Sequence, residues 1–231
     1  MRKVLREEVK YILNLDEYSK KKNYLKHILN PDEHNGGQGY LVRSLYFDTF
    51  DDRDFYEKEM GIELRRKIRL RVYDPKANHA YLEIKQKQGK YQQKRSLKLE
   101  KKDAIDISRG IYEPLLKYKD SFALECYSYM KVNFYKPKVI IEYYREAFIA
   151  KENNIRITFD RNIRSTESNF NIFDENLLMA PVLDNSNVIL EVKYNGFLLS
   201  YIKDALKNSV KTNVSVSKYS LSRNISHKPS F

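Results

Sequence analysis

Apolar and charged residues alternate along much of the chain, and this alternation predicts β-strands. The alternating stretches are residues 8–15, LVRSLYFDT, KIRLRVYD, AYLEIKQKQ, KRSLKLE, KVIIEYYREAF, IRITFDRNI and VILEVKYNG. Successive side chains of a strand point to opposite faces, so an apolar residue at every second position indicates a strand with one apolar face. Asp74 with Pro75, Gly89 and the polar residues 151–154 separate neighbouring stretches at hairpin spacing. About eight strands are therefore expected.

Helical periodicity is confined to three segments. Residues 16–29 form the first, with the lysine run 20–22 expected on its solvated face. Its apolar side would be formed by Leu15, Tyr18, Leu25 and Leu29. Residues 101–131 are predicted to be mainly helical, and FLLSYIKDAL after Gly196 is predicted to form a further amphipathic helix.

Many strands and few helices favour an α+β fold. About eight strands suit a closed antiparallel β-barrel with the helices packed outside. No internal repeat, low-complexity tract or linker divides the sequence. We therefore predict one domain over residues 1–231.

Charge and cysteine content restrict the partners and the compartment. The 43 Lys and Arg residues outnumber the 31 Asp and Glu residues, which gives a net charge of +12. An anionic partner is expected, and nucleic acid, phosphorylated metabolites, polyphosphate and acidic lipid all qualify. The single cysteine, Cys126, excludes an intramolecular disulfide and a cysteine-rich metal site. No apolar run is long enough for a membrane span or a signal peptide, so a cytoplasmic location is expected.

The polar faces of the predicted strands carry mainly cations. Arg69 and Arg71 lie two residues apart and share a face, opposite Ile68, Leu70 and Val72. The other polar faces pair Glu8 with Lys10, Glu83 with Lys85 and Lys87, Lys94 with Ser96, Tyr143 with Arg145, Arg156 with Thr158 and Asp160, and Glu191 with Lys193. Ser, Thr and Gln, the usual filler of a solvated strand face, are sparse among them.

Two interpretations of these faces are open. Charged faces of antiparallel strands usually point to water, which is the simpler interpretation for any one strand. A cationic lining of a barrel interior explains the recurrence of Arg and Lys, provided that a polyanion neutralises it. Arginine forks and lysine ammonium groups suit phosphate chains. The isolated carboxylates Glu8, Glu83 and Glu191 would then be placed to hold Mg²⁺ or Mn²⁺ beside a phosphate.

The order of the motifs resembles one known family. RxExKY (residues 6–11), SLYFDT, KIRLRVY, LEIKQK, KRS, EYYREAF, RITFD, LEVKYNG and SKYS occur in family order from residue 6 to residue 220. They resemble the VTC domain, the polyphosphate polymerase domain of vacuolar transporter chaperone proteins and their bacterial relatives, within the triphosphate tunnel metalloenzymes. The resemblance implies an eight-stranded antiparallel tunnel with a divalent metal. It also implies an activity, the transfer of the γ-phosphate of ATP onto inorganic polyphosphate with release of ADP.

Residue roles follow from the resemblance by motif position. Arg69, Arg71, Lys85 and Arg145 would hold the phosphates in line, and Glu191, with Glu8, would hold Mn²⁺ or Mg²⁺. The further phosphate-binding residues expected are Lys10, Lys87, Lys94, Tyr143, Arg156, Lys193, Ser217 and Lys218. Two positions depart from related patterns: Ser215 stands where the family often has a lysine, and Arg6 breaks the ExExK signature of tunnel triphosphatases. The second departure favours the polymerase branch.

Several alternatives accompany this prediction. The chain could be a tunnel triphosphatase that hydrolyses inorganic triphosphate or nucleoside triphosphates, or a non-catalytic polyphosphate-binding module. Glu191 could instead form a structural ion pair with a lysine of the lining, and Tyr143 could serve only in packing. The expected partners are ATP and inorganic polyphosphate, pyrophosphate or triphosphate, with no nucleic acid. Eukaryotic members belong to membrane complexes, so a membrane-protein partner that brings the chain to the membrane periphery is the other expectation.

Overall fold

The computed structural model describes residues 6–89, 91–206 and 217–227. The strands are β1 (Arg6–Leu13), β2 (Asn30–Pro31), β3 (Tyr40–Asp48), β4 (Leu64–Val72), β5 (His79–Gln88), β6 (Tyr91–Glu100), β7 (Lys136–Ala150), β8 (Ile155–Thr166), β9 (Ala180–Pro181) and β10 (Val188–Asn195). The α-helices are α1 (Leu15–Ile28), α2 (Arg53–Glu59), α3 (Lys101–Ser108), α4 (Ser121–Val132), α5 (Ser200–Leu206) and α6 (Lys218–His227). Short 3₁₀ turns span Glu113–Lys117 and Glu152–Asn154.

The eight longer strands form one sheet of largely antiparallel pairing. Their hydrogen-bonded order is β1-β10-β8-β7-β3-β4-β5-β6, with the two-residue strands β2 on β7 and β9 on β8. The registers of β1 with β10, β10 with β8, β3 with β4, β4 with β5 and β5 with β6 are all antiparallel. The predicted α+β class and the eight antiparallel strands are confirmed. Closure of the sheet into a barrel stays a prediction.

Two compact units divide the chain. The first comprises residues 1–41, 143–163 and 181–217, and the second comprises residues 42–142, 164–180 and 218–231. The interpretation of residues 1–231 as a single domain stays a prediction. None of the helices in the described ranges combines the length and the apolar character that crossing a membrane requires.

In the first unit, one face of the sheet is covered by α1 and α5. The sheet contributes alternate residues of β1, β8 and β10 to an apolar core, including Ile157, Phe159, Leu190 and Val192. Helix α1 begins where Asn14 accepts from the backbone N–H of Glu17 while the Glu17 side chain accepts from the backbone N–H of Asn14. Such a capping box satisfies backbone donors that a helix start otherwise leaves unpaired.

In the second unit, the apolar faces of β3 to β6 pack with α3 and α4. Leu45, Ile68, Leu70 and Leu82 are buried with Ile107 and Met130 in one core cluster. The alternating residues of the same strands lie on the opposite, polar face. Both units thus leave a charged strand face opposite an apolar core.

The lysine run of α1 is not a solvated face. Lys20 is exposed and pairs with Asp16, but Lys21 is 8% exposed and donates to the carbonyl oxygen of Ala205 at 3.0 Å. Lys22 lies 2.6 Å from the carboxylate of Glu146. The prediction was wrong because consecutive residues of a helix point 100° apart, so three lysines in a row cannot share one face.

Two further local expectations differ from the structure. Leu15, predicted on the apolar side of α1, is 50% exposed. Helix α2 carries no clear periodicity in the sequence, because a seven-residue segment is too short to show it. It begins where the Asp48 carboxylate accepts from the backbone N–H groups of Asp54 and Phe55.

Candidate functional site

The charged face of the second unit is built from rows of residues across β3 to β6. One row pairs Tyr46 with Arg69 and Arg69 with Glu83, and Arg71 beside it pairs with Ser44 on β3. The next row pairs Lys67, Lys85 and Lys94. Since paired residues of adjacent strands point to the same face, these rows place half of the lysines and arginines of β4, β5 and β6 together.

Glu83 is the carboxylate that these cations surround. The guanidinium of Arg69 lies 2.6 Å from Glu83 and that of Arg71 lies 3.8 Å from it, while the Nζ of Lys94 is in direct contact. Glu83 is 2% exposed. Burial raises its pKa, but the charges of Arg69, Arg71 and Lys94 prevail and lower the pKa from 4.5 to about 2. One buried anion thus orients two arginines and a lysine, and leaves the face strongly cationic.

Aromatic rings border this cationic face. Tyr46 accepts a hydrogen bond from the Nη1 of Arg69 at 3.1 Å and stacks on Tyr219 with ring centroids 5.3 Å apart. Burial raises the pKa of Tyr46, but the charges of Arg69, Arg71 and Lys218 lower it further, with a net decrease. Tyr219 donates to the Asp48 carboxylate at 2.6 Å. These contacts fix the start of α6 on the second unit, with Lys218 close enough to act on Tyr46.

The charged face of the first unit has a different composition. Its rows run across β1, β10 and β8, and each contains one residue from every strand. The rows are Glu8 with Lys193 and Arg156, Lys10 with Glu191 and Thr158, and Ile12 with Ile189 and Asp160. Carboxylates and cations therefore alternate here, whereas cations dominate the face of the second unit.

Glu8 and Glu191 form a mixed cluster with two lysines. The Nζ of Lys10 lies 2.8 Å from Glu8 and 3.8 Å from Glu191, and the Nζ of Lys193 lies 3.6 Å from Glu8 and contacts Glu191 directly. Burial and the charge of Glu191 raise the pKa of Glu8, but Lys10 and Lys193 lower it further, with a net decrease. Burial lowers the pKa of Lys10, and the two glutamates raise it to a net increase. The ion pair considered for Glu191 is therefore present.

The same two carboxylates could hold a divalent cation. They supply oxygen donors, which Mg²⁺ and Mn²⁺ prefer, and they lie close enough for the charge of Glu191 to act on Glu8. The described residues contain no group of three or more His, Cys, Asp or Glu side chains that could bind a metal ion. A cation here would be coordinated by Glu8 and Glu191 together with oxygen atoms of the substrate, as Mg²⁺ commonly is when it binds phosphates. The donor set thus fits a metal shared with a phosphate group.

Arg145 is held rigidly in the first unit. Its Nε and Nη2 donate to the two oxygens of Asp160 at 2.7 and 2.8 Å, and its guanidinium lies 5.3 Å from the ring centroid of Tyr143. Burial lowers the pKa of Arg145, but Asp160 raises it well above the usual value. Arg145 is therefore a fixed, permanently charged fork, and Tyr143 packs against it.

Arg156 and Ser217 are further predicted site residues of the first unit. Arg156 pairs with Asp32 at 2.8 Å and donates to the hydroxyl of Tyr40 at 3.1 Å. Ser217 is buried, and its phosphate-binding role stays a prediction. Ser215, which departs from the family pattern, lies outside the described residues.

Burial decides between the two interpretations of the charged faces. Arg69, Arg71, Glu83, Glu191 and Asp160 are each less than 7% exposed. The interpretation of solvated faces is therefore wrong for these residues. Lys85 and Lys87 are half-buried on the same face of β5 as Glu83. The structure thus brings the predicted residues together in two groups, one on each unit.

Sequence reasoning missed several contacts of these faces. Strand alternation places Asp160 on the correct face but does not identify it as the bidentate partner of Arg145, and it gives no sign that Asp32 pairs with Arg156. Tyr46 could have been found, because it follows Ser44 at strand spacing in SLYFDT. No comparable local signal leads to Asp32, which contacts β8 across many residues of sequence.

A family model decides the relationship that the motifs and the faces suggest. The model of the VTC domain matches residues 5–227. The chain belongs to the VTC domain family. Membership places this VTC domain among the triphosphate tunnel proteins and indicates an enzyme that acts on phosphates. No curated protein matches the chain.

Solved structures are similar to this VTC domain in fold. A Bacillus halodurans protein, provisionally named an adenylate cyclase, has a TM-score of 0.52 at 12% identity, over 92% of this chain and 95% of its own. A Pyrococcus horikoshii protein gives a TM-score of 0.48 at 12% identity, over 95% of this chain and 99% of its own. A Vibrio parahaemolyticus protein, also provisionally named an adenylate cyclase, has a TM-score of 0.44 at 11% identity, over 89% of this chain and 84% of its own. The first likeness supports the fold alone.

Proposed function

We propose that this VTC domain is a metal-dependent polyphosphate polymerase, which transfers the γ-phosphate of ATP to the end of an inorganic polyphosphate chain. The observation that carries the proposal is the cationic face of the second unit, where the buried Arg69 and Arg71 and the half-exposed Lys94 surround the carboxylate of Glu83. Buried like charges are costly unless an anion neutralises them. One carboxylate cannot neutralise that many cations, so this face is suited to a multiply charged anion such as a phosphate chain.

The reaction asks little covalent chemistry of the protein. The bond between the γ-phosphorus and the oxygen that bridges it to the β-phosphorus breaks, and a bond from the terminal oxygen of the chain to that phosphorus forms. ADP leaves with the bridging oxygen and its electron pair. The terminal oxygen is already anionic near neutral pH, so no general base is needed. Positioning and charge neutralisation then supply most of the acceleration.

The arginines would position the phosphates. Arg69 is held by Glu83 and Arg145 is held by Asp160, so both guanidinium groups are oriented before a substrate binds. A preorganised fork loses less rotational freedom when it binds phosphate oxygens. Arg71 and Lys85 would complete the set that holds the reacting phosphates in line. Lys10, Lys87, Lys94, Tyr143, Arg156, Lys193, Ser217 and Lys218 would contact the rest of ATP or the chain.

Glu191 and Glu8 would hold Mn²⁺ or Mg²⁺. When bound, the cation would neutralise charge on the phosphate oxygens. Lys10 and Lys193 form ion pairs with these carboxylates. Both lysines would therefore exchange the glutamates for phosphate oxygens as substrate binds. Substrate and metal binding are therefore expected to depend on each other.

Product analysis tests the proposal. Purified protein is incubated with ATP and Mn²⁺, with and without a pyrophosphate primer, and the products are resolved on a gel stained for polyphosphate. The expected result is a ladder of long chains for the wild type and none for Glu191→Gln. Glu7→Gln is the matched control, because Glu7 is an exposed neighbour on β1 whose carboxylate accepts only from Tyr194 among the described contacts. It should keep the ladder.

Other products would point to the other activities of this fold. Orthophosphate without a ladder would identify a triphosphatase. Binding of polyphosphate with no turnover at all would identify a binding module. Thermal unfolding of each variant verifies the fold, so that loss of the ladder in a folded Glu191→Gln can be assigned to the site. A folded Glu191→Gln that still makes the ladder would exclude a metal-binding role for Glu191.

A further inference from the structure

One hydroxyl on β8 is buried without a hydrogen-bond partner among the described residues. Thr158 is 4% exposed, and its Oγ1 makes no hydrogen bond within this part of the chain. A buried polar group that is left unpaired lowers the stability of the folded state. A valine, which replaces the hydroxyl with a methyl group, would avoid that cost at this position, so packing alone does not explain a threonine here.

The position of Thr158 is in the charged face of the first unit. Its Cα pairs with that of Glu191, which in turn pairs with Lys10 on β1. Arg156 and Asp160 lie two residues before and after it and therefore share its face. The neighbouring residues Ile157 and Phe159 point the other way, into the apolar core. The unpaired hydroxyl thus belongs to the face that carries the ionic groups.

The chemistry of its surroundings favours an anionic ligand. A hydroxyl can donate one hydrogen bond, and donation to a charged oxygen is stronger than donation to a neutral one. The carboxylates nearest in register are already engaged: Glu191 by Lys10 and Lys193, and Asp160 by Arg145. A phosphate group has several anionic oxygens and can accept from a hydroxyl and from these cations together.

We propose that Thr158 is a further residue of the phosphate-binding site, and that its Oγ1–H donates to an oxygen of one phosphate group in the bound chain. The inference rests on the proposed function, because it needs a phosphate chain at this face. It adds a hydroxyl donor from β8 to a set made of arginines, lysines, Tyr143 and Ser217. The unpaired hydroxyl is then a stability cost in the free protein that binding removes.

Thr158→Val tests the proposal because it separates stability from binding. The binding of inorganic tripolyphosphate is measured by titration calorimetry in the presence of EDTA. Thermal unfolding is measured on the free protein, without tripolyphosphate. Thr158→Val should unfold at the same or a higher temperature than the wild type, yet bind tripolyphosphate about ten-fold more weakly or worse. Thr158→Ser, which keeps the hydroxyl, should bind within about three-fold of the wild type.

Thr166→Val is the matched control. The Thr166 hydroxyl is also on β8 and buried, but it is hydrogen-bonded to Ser168 at 3.0 Å. This variant should unfold at a lower temperature than the wild type and bind tripolyphosphate equally well. At Thr158, stability should stay the same or rise while affinity falls. At Thr166, stability should fall while affinity stays the same.

Three results would overturn the assignment. Unchanged affinity in Thr158→Val would mean that the hydroxyl contacts no phosphate. A lower unfolding temperature of free Thr158→Val would mean that the hydroxyl is already satisfied in the free protein. A loss of affinity seen only with Mn²⁺ present would assign the hydroxyl to the metal instead. Wild-type protein that binds tripolyphosphate but makes no polyphosphate would refute the polymerase alone, whereas wild type that binds it neither in EDTA nor with Mn²⁺ would refute both.

Discussion

Replacing Glu83 by glutamine should destabilise the protein strongly. The substitution keeps the shape of the side chain and removes the one negative charge that Arg69, Arg71 and Lys94 share. Glu83 is 2% exposed, so water cannot take over the role of the carboxylate. The buried guanidinium groups of Arg69 and Arg71 would then repel one another around a neutral amide.

The magnitude follows from the pKa of Glu83. Its decrease from 4.5 to about 2 corresponds to about 3 kcal/mol of preference for the ionised form. Removal of one partner from a buried ion pair typically costs about 3–5 kcal/mol, which agrees. Because the pKa is lowered on folding, this stabilisation is fully present above pH 4.5 and is lost as the pH falls toward 2. At neutral pH we expect Glu83→Gln to lower the free energy of unfolding by about 3 kcal/mol.

Denaturant unfolding in buffer free of phosphate measures this loss. Glu125→Gln is the control, since Glu125 pairs with Arg95 at 2.5 Å but its side chain is 45% exposed. It should cost less than about 1 kcal/mol. Tripolyphosphate should stabilise Glu83→Gln more than it stabilises the wild type, because it returns negative charge to the face. A Glu83→Gln variant as stable as Glu125→Gln would refute the reasoning that this face is desolvated and cationic.

Two further predictions concern parts of the fold outside the charged faces. Burial and the nearby charge of Asp48 raise the pKa of Asp54 from 3.8 to about 8, so stability from this group should decline as the pH rises from about 4 to about 8. Asp54→Asn should flatten that decline in thermal unfolding at pH 5 and pH 8, and an unchanged pH profile would contradict the assignment. Gly39 has a φ of +86°, and a Cβ there would lie 2.4 Å from the carbonyl oxygen of Arg145. Gly39→Ala should therefore lower the unfolding temperature markedly, whereas Gly37→Ala, with open space around its Cβ, should not; equal temperatures for the two variants would be the contrary result.

Alternation in the sequence predicts most of the sheet and its charged faces. The face that a side chain occupies follows from the two-residue period of a strand. Arg69 is therefore placed on the same face as Arg71, and Glu191 on the same face as Lys193, without knowledge of the neighbouring strands. Whether the charged face is exposed to solvent cannot be predicted in this way, because a charged face has the same sequence pattern when it is buried and when it is exposed. Burial at Glu83 becomes visible only once its strand partners are known.

Contacts between distant segments are the part that local pattern cannot supply. Asp160 binds Arg145 and Asp32 binds Arg156, and each pair depends on which strands become neighbours. The burial of Lys21 likewise depends on a carbonyl of α5, which no helical pattern in α1 reveals. The hydroxyl of Thr158, which has no hydrogen-bond partner within the described part of the chain, is a further example, since a missing partner can be recognised only after its neighbours are in position.

The stoichiometry of ATP consumption shows directly whether this VTC domain elongates polyphosphate or hydrolyses ATP. Wild-type protein is incubated with ATP, Mn²⁺ and a pyrophosphate primer, and phosphorus NMR follows the terminal and internal phosphates of the chain while ADP is quantified in the same sample. A polyphosphate polymerase should gain one internal phosphate for each ADP released, with no orthophosphate. Orthophosphate released in proportion to ADP, with no growth of internal phosphates, would contradict it.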